Sequence, residues 1–75
     1  MTPAKLAALE LLATEPRFTW KHTTKELIGG RVAACLAREG FARDVSVRVW
    51  WSEDPLPKYE ITDAGREALA RRSAP

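Results

Sequence analysis

The chain has 75 residues, a size that allows one domain over residues 1–75 and no separate catalytic half. Hydrophobic residues make up 45% and charged residues 29%, a globular composition; the single cysteine excludes a disulfide framework and, with the single histidine, falls short of a structural zinc site. The formal charge of +2 is by itself too small to imply a polyanionic partner.

Thr2-Pro3 opens a helix, since the hydroxyl can accept an orphan amide proton and proline suits the first helical position. Leu6, Leu9, Leu12 and Ala13 recur at helical spacing, and Pro16 ends the run near Thr14. Residues 17–22 hold Phe18 and Trp20 two apart, which predicts an extended segment turning both aromatics to the core. Thr23-Thr24-Lys25-Glu26 matches a capping box and predicts a second, short helix that Gly29-Gly30 ends. A third helix is expected over 31–39. Val32, Cys35 and Leu36 form its core stripe, Ala33, Ala34 and Ala37 make up most of its outer side, and Gly40 suits a left-handed C-cap.

From Val45 the period becomes two, with Val45, Val47, Val49 and Trp51 facing one way and Ser46, Arg48, Trp50 and Ser52 the other. Residues 53–57 read as a proline loop, and 58–62 alternates again with Tyr59 and Ile61 apolar. A hairpin symmetrical about Pro55 sets Trp51 opposite Tyr59, Val49 opposite Ile61 and Trp50 opposite Glu60. Thr62 or Asp63 caps a last helix through Arg72 with Ala68 and Leu69 inward, leaving 73–75 as a tail. The fold class expected is α+β, a three-helix core with a two-stranded hairpin and a short C-terminal helix.

Charge placement says more than its total. Residues 17–48 hold Arg17, Lys21, Lys25, Arg31, Arg38, Arg43 and Arg48 against Glu26, Glu39 and Asp44, seven against three, or +4. Residues 49–60 hold Glu53, Asp54 and Glu60 against Lys58, three against one, or −2. His22 and Cys35 have no third group to orient a nucleophile and base; Cys35 reads as a core thiol and His22 as a surface residue. Glu53 and Asp54 read as a solvated turn. No enzyme activity, cofactor or metal is therefore expected. Trp20 and Trp51 read as core, whereas Trp50, on the polar strand face beside Arg48, is either covered by its neighbours or an interface anchor. Lys5 and Glu10 interrupt the first apolar stretches, so neither a signal peptide nor a membrane span is expected and the location expected is cytoplasmic.

Two stretches carry a resemblance. Thr24-Lys25-Glu26-Leu27 through Leu36-Ala37-Arg38-Glu39-Gly40-Phe41 resembles the helix-turn-helix of winged-helix regulators. The segment from Lys58 to Leu69, with its pattern Tyr-x-Ile-Thr-x-x-Gly-x-x-x-Leu, is similar to the second wing strand and following helix of MarR-like and PadR-like transcriptional regulators. The resemblance covers about half the chain and implies a winged helix that binds double-stranded DNA, with the third helix in the major groove and the hairpin on phosphate or an adjacent groove. Carried over by position, Arg31, Ala34 and Arg38 would face the groove, while Thr24, Lys25, Arg48 and Lys58 would meet phosphate. The rival reading is a protein-interaction module, a small inhibitor or adaptor, that binds a protein partner through the wing and Trp50. No membrane contact is expected, and the short last helix suggests a monomer or weak dimer.

Overall fold

The computed structural model describes residues 1–72, so the tail expected at 73–75 lies outside the described residues. Three helices and a four-stranded mixed sheet make an α+β fold, in the order α1 (Pro3–Thr14), β1 (Arg17–Trp20), β2 (Ile28–Gly29), α2 (Gly30–Arg38), β3 (Ala42–Asp44), β4 (Lys58–Ile61) and α3 (Asp63–Arg72). No described helix is long and apolar enough to cross a membrane.

Helix α1 begins as its sequence dictates, with Oγ1 of Thr2 accepting from the Lys5 amide (3.3 Å) and proline in the first turn. Its Ala8, Leu9 and Leu12 join Ile28, Ala33, Leu36, Ala42 and Ile61 in one buried cluster. Leu9, Leu12, Ile28 and Leu36 are its large, fully buried members, and Phe41, Tyr59, Ala68 and Leu69 pack around it.

The sheet order is β2-β1-β4-β3. Strand β1 runs parallel to β2, while β4 is antiparallel to both β1 and β3. Directly opposed residues share a face, and faces alternate along each strand. The pairs Thr19↔Ile28, Arg17↔Tyr59 and Ala42↔Ile61 therefore line the face toward the buried cluster and the helices. Phe18↔Lys58 and Arg43↔Glu60 line the face turned away from them.

The expected second helix does not form, and the helix-turn-helix pair expected over 24–39 is corrected accordingly. Oγ1 of Thr24 accepts from the amides of Glu26 and Leu27 (3.3 and 3.1 Å), and the Thr24 amide donates to the Leu27 carbonyl (2.7 Å), which closes a tight turn. Oγ1 of Thr23 accepts from Gly29 at 3.1 Å. The hydroxyls satisfy backbone donors, but the reciprocal bond of a capping box, from a backbone amide to the Glu26 carboxylate, does not form among the described residues. However, Ile28 and Gly29 are taken by pairing with β1 before the few residues left can nucleate a helix.

The hairpin register also differs from the expectation. Tyr59 lies opposite Asp44 instead of Trp51, a slip of seven positions, and the same register extends to the bridge Val47↔Leu56. The cause lies at the end of α2. Gly40 takes φ 85° and turns the chain directly into β3, where the Thr62 amide donates to the Phe41 carbonyl (3.1 Å) and the Thr62 hydroxyl to the Gly40 carbonyl (2.6 Å). These bonds fix Ala42 against Ile61, so pairing begins at once and the turn moves to Trp50 and Trp51. A slip by an odd number reverses which side chains accompany Tyr59 and Ile61. Val45 and Val47 consequently align with Lys58 and Leu56 on the face away from the helices.

Candidate nucleic-acid interface

Helix α2 follows β2 without a linker, and its face is set by burial. Ala33 and Leu36 are buried, Val32, Cys35 and Ala37 are half-buried, and Arg31, Ala34 and Arg38 are exposed. The expectation that Ala33 and Ala37 belong to the outer side is corrected, since one is in the core and the other on the flank. What remains outside is the Arg31, Ala34, Arg38 face. Arg31 and Arg38 are seven residues, nearly two turns, apart and lie about 10 Å from each other along the axis. Neither enters an ion pair among the described residues.

Because β1, β2 and β3 run in the same direction, their C-terminal ends gather at one end of the sheet. That end holds the turn after β1, with exposed Lys21, His22, Thr24 and Lys25; the first turn of α2, with Arg31; and the start of the hairpin extension that carries Arg48. Lys21, Lys25 and Arg48 also lack ion-pair partners among the described residues. Gly29, the N-cap of α2, supplies no side-chain acceptor to the first-turn amides. Other cations are already engaged. Lys5 is bound to Glu39, which raises its pKa above the ordinary lysine value, chiefly through that hydrogen bond; Arg43 pairs with Glu60 and Arg72 with Glu10.

Lys58 does not join this group. It sits on the opposite sheet face, half-buried, with Nζ 4.9 Å from the centre of the Phe18 ring. Thr24 is exposed, but its hydroxyl is occupied within its own turn. Trp50 is 94% exposed in the hairpin turn, which excludes the reading that its neighbours cover it. Trp20 and Trp51, expected in the core, are 59% and 60% exposed.

The aromatics of β1 face away from the core, contrary to expectation, because Arg17 takes the inward position. Its guanidinium donates to the carbonyls of Leu11 and Glu26 (3.3 Å each) and to Oγ1 of Thr14 (2.6 Å), and it pairs with Glu15 (3.3 Å). Five donors on a planar group allow it to tie α1, β1 and the following turn together, an ability that an apolar-in, polar-out rule overlooks. Lys21 was the functional candidate that sequence reasoning passed over; its signal was its place directly after the strand, beside the capping threonines. Comparison of the chain with family models, with curated proteins and with solved structures returned no match.

Proposed function

We propose that the chain is a winged-helix DNA-binding protein, a small transcriptional regulator that lays the outer face of α2 in the major groove. The observation that carries this reading is the pair Arg31 and Arg38, exposed on one helix face and free of carboxylate partners. The antiparallel order β1-β4-β3, with the β3–β4 hairpin extending beyond the sheet, supports the winged-helix part of the reading. A tight turn at residues 23–27 stands where the first helix of a helix-turn-helix would lie. Lys21, Lys25 and Arg48 serve as phosphate contacts, and the two arginines as candidates for guanine edges.

Phosphate neutralisation releases counterions, so affinity for arbitrary duplex DNA falls steeply as salt rises. The test is a salt titration of duplex binding by the wild type and by Arg31→Ala/Arg38→Ala. The expected result is micromolar or tighter binding at low salt, with most of it lost in the variant and a shallower salt slope. Equal binding by the two proteins would remove α2 as the contact surface.

The exposure of Trp50 favours a second reading, a protein-interaction module docking through the hairpin turn. Acidic Glu53 and Asp54 beside it suit a protein partner better than phosphate. This reading expects a partner lost in Trp50→Ala together with negligible affinity for DNA.

A further inference from the structure

We infer that the sheet face turned away from the helices is a stacking platform for single-stranded nucleic acid. The register arranges it in two rows: Phe18, Lys58 and Val45, then Trp20, Leu56 and Val47. Phe18 and Trp20 lie on the same side of β1, about 7 Å apart at the rise of an extended strand, so a base stacked on the more exposed Trp20 lies beside the Phe18 ring and the Lys58 ammonium over it. Phe18 is 37% and Trp20 59% exposed, and neither belongs to the buried cluster on the other face.

Charge selects the occupant. Lys58 stands in the middle of the face with its ammonium over Phe18, and Lys21 and His22 continue β1 at the edge beyond Trp20. Among the described residues Glu60 is held by two donors of Arg43, and of the two acids that border the groove holding Phe18 and Lys58, Glu15 pairs with Arg17 while Glu26 enters no ion pair. An aromatic surface with a central cation fits a polyanion whose flat apolar groups are accessible. Single strands offer open base faces, whereas a duplex hides them in its stack. The platform uses a different face from α2, so it does not rest on the duplex-binding reading.

The test is titration of the full chain with oligothymidine of about twelve nucleotides, a length within the range one small domain covers. In a Trp50→Phe/Trp51→Phe protein Trp20 is the sole tryptophan, and quenching of its fluorescence reports stacking there directly. Trp20→Ala is expected to lose about tenfold or more in affinity for oligothymidine while keeping the wild-type circular dichroism and duplex binding. Arg31→Ala/Arg38→Ala is expected to bind oligothymidine as the wild type does. Absence of quenching in the single-tryptophan protein, or wild-type oligothymidine affinity in Trp20→Ala, would overturn the proposal, as would loss of that affinity in the arginine variant alone.

Discussion

At Gly65 a β-carbon would lie 2.2 Å from the carbonyl oxygen of Phe41 and 2.7 Å from Cγ1 of Ile61. The obstruction is partly backbone, which cannot swing aside, so α3 sits this close to the β3–β4 pair only because residue 65 has no side chain. Gly65→Ala is expected to destabilise the fold by about 1–3 kcal/mol, the usual range for overpacking, as measured by the midpoint of urea unfolding. A midpoint equal to the wild type would contradict this packing. Asp44 provides a second local test. Its carboxyl lies below the ordinary aspartate value because the Ser46 hydroxyl, and then the Ser46 amide, donate to it. A depressed carboxyl contributes stability that is present above the unfolded pKa, about 4, and lost as pH falls through the lower native value. Ser46→Ala removes the larger cause, so the Asp44 titration followed by NMR should move upward; an unmoved titration would mean that the hydroxyl does not hold it.

Among the elements, those with strong local signals were legible in the sequence. Thr2-Pro3 and Pro16 bracket α1 as its spacing indicates, Gly40 adopts the left-handed conformation expected of it, and Oγ1 of Thr62 accepts from the Gly65 amide (3.1 Å) at the start of α3. The outward placement of Arg31, Ala34 and Arg38 follows from helical period alone. What could not be read locally was pairing. A capping box expects a threonine hydroxyl and the glutamate side chain each to meet a backbone amide; the Thr24 hydroxyl does, the Glu26 carboxylate does not among the described residues, and whether the backbone coiled or joined a strand depended on β1 being alongside. The alternation of Val45, Val47 and Val49 was likewise visible, yet a period of two does not say which side is buried; the bonds from Thr62 to Gly40 and Phe41 decided that. Arg17 shows the same limit at one position, since its inward turn is set by acceptors from two other parts of the chain.

Over the whole molecule, two surfaces among the described residues bear on nucleic acid, apart from the exposed hairpin turn of Trp50 and Trp51. One is the outer side of α2 with the end of the sheet beside it, where Arg31, Arg38, Lys21, Lys25 and Arg48 lack carboxylate partners among the described residues. The other is the aromatic sheet face with Phe18, Trp20 and Lys58. The net charge of +2 gives little indication of either surface, because Lys5, Arg43, Arg71 and Arg72 are paired with carboxylates while the cations on the outer side of α2 and at the sheet end are not. Binding to duplex DNA should therefore be local and not spread over the molecule. The most direct measurement is NMR of the isotope-labelled chain titrated with a short duplex at low salt. The amides of Arg31, Ala34 and Arg38 and of residues 21–25 should shift together, while those of Phe18 and Trp20 stay in place. Shifts restricted to the hairpin turn, or none at millimolar duplex, would contradict the assignment of α2 as the DNA-contacting helix.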